Sequence, residues 1–502
     1  MAQDFPLQSE GTTAIPITIP NSGPKDTAPE DTENQDYLKS VLDMIKQKYK
    51  GDVNDKELME GALKGMLSQM DSYTTYLTKD EASRFFVSAN GKLEGIGVEL
   101  GKVENHVVVL KVISGSPAEE AGIVPGDKIV DINGKNVEGA SAGDVSNIIK
   151  NSSSRRILLG LIKNGDIDVT AIEVSKRYIT VNPVAYDIRK DIAYIKIDSF
   201  NSNTMDFMTR ALNGINAAHI NKVVLDLRDN PGGEVAQVVQ VARKFVPQGL
   251  ITKLDFKSEK DADIEYYSPL TEPKYRLAVL VNQNSASAAE ILAGAIQDTK
   301  AGTLIGTKTF GKAKVQTLVP LLTPEAYEKY SGKFGVKYVD ANALVNQQHV
   351  SPLPEEILGY IKMTTGKYTT PKGRMIDGVG LTPDIQVENP LPVSNIDINS
   401  VKKLKKTLKP DMNSITPDVY SAEQILKICG YDIGTPDAKL DSTTFAAIME
   451  FQKDNGLYPY GVLDFATQQA LNDKLEAKIL EVDKQYAEAV RVLESDNSGG
   501  KN

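Results

Sequence analysis

Two short stretches hold residues able to break an amide bond without imidazole or metal. Asn284-Ser-Ala-Ser-Ala-Ala-Glu290 offers hydroxyls at Ser285 and Ser287, and Thr309-Phe-Gly-Lys-Ala-Lys-Val-Gln316 offers amines and an amide. A hydroxyl near its free pKa is a poor nucleophile, so a neighbour must take its proton, and a desolvated lysine can do so. Each tenfold gain in the neutral amine means destabilising the ammonium by about 1.4 kcal/mol. Lys312 follows the glycine-rich Gly306-Thr-Lys-Thr-Phe-Gly311, with Leu304, Ile305 and Phe310 as apolar surroundings. Gln316, four residues on and on the same side of a strand, can orient the amine or the nucleophile. Both residues also have commoner uses. A lone lysine is ordinarily a solvated surface amine, and Ser287 with Glu290 three residues later reads as a helix capping box. Capping and catalysis are compatible, since a helix N-terminus places the Ala288 N–H and the helix dipole near developing negative charge. Chemistry alone does not choose between Ser285 and Ser287.

A third stretch, Val224-Leu-Asp-Leu-Arg-Asp-Asn-Pro-Gly-Gly233, reads as a buried strand running into a Pro-Gly-Gly turn before a helix. Unpaired N–H groups at such a strand end can stabilise an oxyanion, although the turn by itself is more often only structural. His106, His219 and His349 show no paired ligand spacing, and Cys429 is single and sits in an apolar helical context. No metal, disulfide or cofactor is therefore expected. The formal charge of -10 argues against nucleic acid as a partner.

The 502 residues exceed what one core usually serves, so several domains are expected. The Pro-, Thr-, Ser- and acid-rich residues 1–36 read as a disordered tail without a signal-length apolar run. No run of 18 apolar residues is present to span a membrane. From Tyr37 to Met70, apolar residues recur at helical spacing around Gly51-Asp-Val-Asn, predicting two amphipathic helices that serve either as core or as a dimer surface. Short strands, a Gly122 helix stop, Pro125-Gly126 and Asn133-Gly134 follow. Ala193–Ile197, Val223–Leu227 and Leu277–Asn282 read as strands of a parallel α/β layer, with helices between. Lys402–Lys409 reads as a solvated linker, and the segments after it as a helical mini-bundle. The charged Leu475–Glu494 helix is given no function.

The Gly-rich loop Leu93-Glu-Gly-Ile-Gly-Val-Glu-Leu100, with Pro125-Gly-Asp-Lys-Ile129 and Asn133-Gly134 downstream, resembles a PDZ domain. That resemblance implies that Gly95, Ile96, Gly97 and Val98 present N–H groups to a ligand's C-terminal carboxylate. It also implies a side-chain pocket from Val145, Ile148 and Ile149, and pairing of the peptide with the strand edge. Ser421-Ala-Glu-Gln-Ile-Leu, Phe445-Ala-Ala-Ile-Met-Glu-Phe-Gln452 and Gly461-Val-Leu-Asp464 are similar in spacing to a three-helix peptidoglycan-binding domain.

Taken together, Asn230-Pro-Gly-Gly233, Ser285-Ala-Ser-Ala-x-Glu290 and Thr309-Phe-Gly-Lys-x-x-Val-Gln316, behind a PDZ domain, resemble the C-terminal processing (tail-specific) serine proteases. Asp71-Ser-Tyr-Thr-Thr-Tyr-Leu77, Tyr368–Arg374 and Gly380–Asp384 match further family signatures. The resemblance assigns Ser287 as nucleophile, Lys312 as general base and Gln316 as its orienting partner. It assigns the Gly232-Gly233 turn and Ala288 as oxyanion donors. It implies a multidomain α+β chain with a crotonase/ClpP-like α/β core, and boundaries at 37–90 (N-terminal helices), 91–178 (PDZ), 179–393 (protease), 394–412 (linker), 413–474 (wall-binding-like) and 475–502 (helix and tail). Residues 323–358 are an insertion in the protease. Implied partners are proteins or peptides with free C-termini, peptidoglycan and a second copy of the chain. The implied location is extracytoplasmic, by a signal or anchor that these residues do not contain. Ala289, Ala313 and Lys150-Asn151 depart from the family pattern. The last of these, together with the insertion, motivates a rival expectation of a catalytically silent or partner-gated peptide- and wall-binding scaffold.

Overall fold

The computed structural model describes residues 30–103, 105–113, 115–163, 168–257, 262–414 and 416–495. The expected N-terminal tail lies outside these residues up to position 29, and from Glu30 the chain is already helical. Helices Glu30–Lys48 and Asp55–Ser68 belong to a compact unit ending at Gln69. Asn54 starts the second by accepting from the N–H groups of Lys56 and Glu57, and a Lys46–Asp55 ion pair of 2.7 Å spans the break. Leu38, Met44, Ile45, Met59 and Met66 are exposed on this pair, whereas Leu67 is buried.

The rest of the chain forms the second unit. Its first part is an antiparallel sheet in the order Val98–Val103, His106–Val112, Lys128–Ile132, Arg156–Ile162, Val169–Ser175. Alternation places Ile157, Leu159 and Leu161 inside while Leu158 is exposed. The Ala142–Asn151 helix starts at a Ser141–Asp144 capping box and buries Val145 and Ile149 in the same core. A separate two-stranded ribbon, Lys92–Gly95 with Arg177–Thr180, leads in and out of this domain. Asn203 Nδ2 clasps its base by donating to Gly91 O (2.7 Å) and Val181 O (3.3 Å).

A six-stranded mixed sheet forms the centre, in the order Val184–Arg189, Ile192–Ile197, Lys222–Asp226, Arg276–Val281, Gly302–Gly306, Ile385–Gln386. Only the first pair is antiparallel. Strands of this kind, buried on both faces, have continuous apolar sequence. Ala193, Ile195, Val223, Leu225, Val279 and Val281 pack against the helices Thr204–Ala217, Val235–Ala242 and Ala288–Thr299. The alternate residues Ile192, Tyr194, Val224, Ala278, Leu280 and Ile305 point the other way. A second, five-stranded sheet contains Thr75–Thr78, Gly249–Phe256, Ile264–Ser268, Lys314–Leu322 and the long Ile357–Thr369. Between the last two of its strands, the insertion folds as helices Pro324–Phe334 and Ala341–Gln348 around its own small core, which includes Tyr330, Tyr338 and Leu344.

The C-terminal region differs from the expected appended mini-bundle. Helices Pro417–Ile428, Ser442–Asp454 and Phe465–Val482 are followed by Lys484–Ser495, and one continuous core joins them to the second face of the six-stranded sheet. The expected solvated linker is packed. Ile398, Val401 and Leu404 are buried, and Leu404 exchanges backbone bonds of 2.8 and 3.0 Å with the Asn472 side chain. Burial lowers the Lys402 pKa. The unassigned Leu475–Glu494 helix is two: its first part continues Phe465–Val482 across the expected boundary at 474, and after Asp483 the helix Lys484–Ser495 buries Tyr486, Ala489 and Leu493 in that shared core. The physical reason is the central sheet itself, whose alternate apolar row needs cover on both sides.

Candidate active site

Ser287 stands between the end of the Arg276–Val281 strand and the Ala288–Thr299 helix, with φ 55° and ψ -118°. A non-glycine residue held in this sparsely populated region stores about 1–3 kcal/mol, and it persists only where its surroundings over-determine it. They do so here. Glu290 Oε2 accepts from Ser287 N–H at 3.0 Å, and the Ser287 carbonyl receives Glu290 N, Ile291 N and the Tyr368 hydroxyl. Only half of the expected capping box forms: Glu290 caps the backbone, but Ser287 Oγ makes no capping bond and is left for other chemistry. Ser285 is different. It is fully buried, and its Oγ donates to Leu227 O (2.8 Å) while accepting from Asn282 N (3.0 Å). Its hydroxyl is structural, which separates two serines that are equivalent in sequence.

The Lys312 backbone is fastened to the same groups as Ser287. Glu290 Oε2 accepts from Lys312 N–H at 2.9 Å, so one carboxylate oxygen holds both main chains. The other oxygen takes Thr309 Oγ1 (2.6 Å) and Gly311 N (2.8 Å). The Tyr368 hydroxyl lies 2.9 Å from both the Ser287 and Lys312 carbonyls. Lys312 itself is in the loop ahead of Lys314–Leu322, and a register shift follows between Val315 and Gln316. The simple strand periodicity expected to align Lys312 with Gln316 is thus interrupted, yet Lys312 Nζ donates to Gln316 Oε1 at 3.2 Å. Gln316 is oriented in turn, because its Nε2 donates to Tyr73 O at 2.9 Å. The Tyr73 ring centroid is 4.5 Å from the amine. Asp71 shapes this turn by accepting from Tyr73 N and Thr74 N, both at 2.8 Å. These bonds outweigh burial and bring its pKa down to about 2.

Burial pushes the Lys312 pKa below its ordinary value, with help from the nearby ammonium groups of Lys362 and Lys314 and against the opposing pull of Asp71. No hydrogen bond joins Lys312 Nζ to Ser287 Oγ in this structure. Such bonds often close only around substrate.

The Pro-Gly-Gly turn lies directly on the Ser287–Ala288 peptide. A Cβ built on Gly232, where φ is +101°, would come within 2.7 Å of Ser287 Cβ and 2.8 Å of Ala288 N. On Gly233 it would come within 2.0 Å of Phe200 O. Gly232 N–H is already taken by Asn230 Oδ1 at 2.8 Å. Among the described residues, neither Gly233 N–H nor Ala288 N–H has an acceptor, so these two remain available as donors.

In the PDZ-like domain, Gly95 ends the ribbon, Ile96 is buried, Gly97 has φ +91° and Val98 begins the first sheet strand. The carbonyls of Ile96 and Gly97 tie the loop inward by accepting from Ala118 N and Ile113 N at 2.9 Å. Strand Val98–Val103 is an edge of its sheet, next to the Ala142–Asn151 helix. Of the three residues expected to line the side-chain pocket, Val145 and Ile149 are buried in the domain core, and Ile148 is half-buried and packs against that same core. Nothing in the sequence spacing distinguished these inward residues from Ile148.

Tyr73, Tyr368 and the double use of Glu290 were not singled out from sequence. Tyr73 and Tyr368 stood in recognised motifs, but the contacts that give them meaning span 243 and 56 or more residues.

Several segments of the chain match known protein families. Residues 191–387 match the family model for peptidase family S41, residues 108–163 that for a PDZ domain, and residues 416–471 that for a peptidoglycan binding domain. Residues 17–81 match the activating protease CtpB N-terminal domain. The carboxy-terminal processing protease CtpB of Bacillus subtilis is 29% identical over 475 residues, covering 93% of this chain and 89% of that protein. CtpA of the same organism is 28% identical over 472 residues, covering 92% and 90%. The carboxy-terminal-processing protease of Bartonella bacilliformis is 31% identical over 360 residues, covering 70% and 74%. This chain therefore belongs to the S41 family of carboxy-terminal processing serine proteases.

Proposed function

We propose that the chain is a serine endopeptidase that takes the flexible C-terminal tail of a protein substrate and cleaves it with a Ser287/Lys312 pair. Ser287 Oγ attacks the scissile carbonyl as neutral Lys312 removes its proton. The proton then passes to the leaving amine, and the acyl-enzyme is hydrolysed by water. Developing charge on the carbonyl oxygen falls to Gly233 N–H and Ala288 N–H. Gln316, held by Tyr73 O, presents its carbonyl oxygen to the amine and so fixes where the base sits. The single observation that supports this reading most is the shared clamp of Glu290 and Tyr368 on both main chains, with Ser287 Oγ left out of the helix cap.

Tail capture belongs to the edge strand Val98–Val103, by strand addition, with Gly95–Val98 receiving the carboxylate and Ile148 touching the last side chain. The peptidoglycan-binding domain suggests a cell-envelope location and peptidoglycan as a partner. No described helix is long and apolar enough to cross a membrane. The exposed apolar faces of the two N-terminal helices suit pairing with a second copy of the chain.

Ser287→Ala and Lys312→Ala are each expected to abolish cleavage of a peptide with a free apolar C-terminus while leaving its binding intact. Cleavage assays and binding isotherms on the same peptide check this, and full turnover by Lys312→Ala would refute the base assignment. A serine-directed phosphonate should label Ser287 in the unaltered protein and fail to label the alanine variant.

A further inference from the structure

We infer that Asp483 and Gln485, at the start of the C-terminal helix, are positioning residues for the oxyanion turn, acting through the buried guanidinium of Arg228. The inference rests on the assignment of Gly233 and Ala288 as oxyanion donors, and it adds a dependence of that site on a segment far away in sequence.

Arg228 lies two residues beyond the end of strand Lys222–Asp226 and five before Gly233, and it is 5% exposed. Its Nε donates to both Asp226 oxygens at 3.0 Å, and its Nη2 to Asp226 Oδ2 at 2.5 Å. The Nη1 group turns outward from the strand and meets Asp483 Oδ2 at 2.9 Å and Gln485 Oε1 at 3.1 Å. Both partners are fully buried and are themselves held. Asp483 accepts from Asn399 Nδ2 and Tyr486 N–H, and Gln485 Nε2 donates to Val387 O and Asn389 Oδ1. Tyr194 completes the cluster by donating its hydroxyl to Asp226 at 2.6 Å. A guanidinium removed from water needs all of its donors met, and its planar fork transmits direction as well as charge.

What Arg228 anchors at its other end is the turn. Asp229, with φ 61°, donates its N–H to Asn282 Oδ1 and accepts at Oδ1 from Asn282 and Asn284, which lie just before the serine loop. Asn230 accepts Gly232 N–H through its side chain and Ala286 N–H through its carbonyl. From the C-terminal helix the bonds thus run to the Arg228 guanidinium, and Asp229 and Asn230, which follow it in the chain, are bonded to Asn282, Asn284 and the Ala286 N–H, one residue before Ser287. The oxyanion donors are backbone groups, so their aim depends on where this turn is held.

The test uses the full chain. Asp483→Asn keeps shape and an acceptor oxygen but removes the charge that balances Nη1, and Gln485→Ala removes a neutral acceptor of Nη1 together with the bonds to Val387 O and Asn389 Oδ1. Asp483→Asn is expected to lower kcat at least about tenfold, less than the loss of an oxyanion donor outright, with KM changed less than about twofold because substrate binding is untouched. Affinity for a peptide aldehyde, which needs the oxyanion donors, should fall in parallel. Gln485→Ala should show the same pattern at smaller amplitude, and Glu488→Gln, half-buried on the same helix and paired with Arg491 rather than Arg228, should not. Wild-type kcat and aldehyde affinity in both folded variants would overturn the inference, as would a loss of kcat accounted for entirely by the unfolded fraction. If Asp483→Asn does not fold, the Gln485→Ala ratios decide alone. Failure of the unaltered protein to bind aldehyde or to react at Ser287 would count against the proposed mechanism instead, which keeps the two outcomes distinct.

Discussion

Lys312 is only partly withdrawn from solvent, so the charges around it matter as well as its burial. Desolvation is the largest influence lowering its pKa, and the Lys362 ammonium comes next. With Lys312 as base, the active form is the neutral amine, so kcat/KM should rise with pH through the lowered pKa. Lys362→Met removes a like charge and makes the ammonium less unfavourable. The Lys312 pKa should then rise, the rising limb should move to higher pH, and activity at neutral pH should drop. A pH–rate series on both proteins checks this, and an unmoved limb would separate Lys312 from the essential titration. Ser287 raises a different point at the same scale. Its positive φ was not legible in sequence, because the same Ser-x-x-Glu spacing serves an ordinary cap, and only the groups gripping both sides of its peptide show that Oγ is spared.

At the scale of elements, the site is a meeting of three chain reversals: the turn after Lys222–Asp226, the start of the Ala288–Thr299 helix, and the loop before Lys314–Leu322. Parallel neighbours in one sheet bring the first two to the same edge. The fit between them is tight at Gly232. Gly232→Ala should both strain a +101° backbone and drive a methyl into the Ser287–Ala288 peptide. The expected result is loss of cleavage by two orders of magnitude or more, about the effect of losing an oxyanion donor, with peptide binding to the PDZ domain retained. A cleavage assay beside a tail-peptide binding measurement checks it. Near-normal turnover would show that the turn is not part of the reacting site. The PDZ element gives the opposite lesson: its strands and glycine loop follow from local pattern, but helix residues Val145 and Ile149 face inward, and only packing reveals which side of an amphipathic helix a groove can use.

Across the whole second unit, the wall-binding-like helices and the protease share one apolar core. Two domains with separate cores can melt separately, whereas a common core ties their unfolding together. Phe451, fully buried in that core, is remote from Ser287 in sequence. Phe451→Ala is expected to lower stability by about 3–5 kcal/mol and to bring down the temperature of protease inactivation with it. Calorimetry together with residual-activity curves checks this. An early transition that leaves protease activity unaffected would show that the helices are independent after all.

What the sequence determined by itself was chemical and local: a hydroxyl, an amine and an amide without histidine or metal, the Pro-Gly-Gly turn, the PDZ and wall-binding signatures, and helices and strands with clear periodicity. These depend on residue type and spacing over a few positions. Tertiary structure decided the rest. It tied up the Ser285 hydroxyl in backbone bonds, enlisted Tyr73, Tyr368 and Glu290, engaged Gly232 N–H, and turned an expected linker and an unassigned helix into the second cover of the central sheet. The physical reason is that hydrogen-bond satisfaction and burial are settled between segments far apart in the chain, where no local spacing records them.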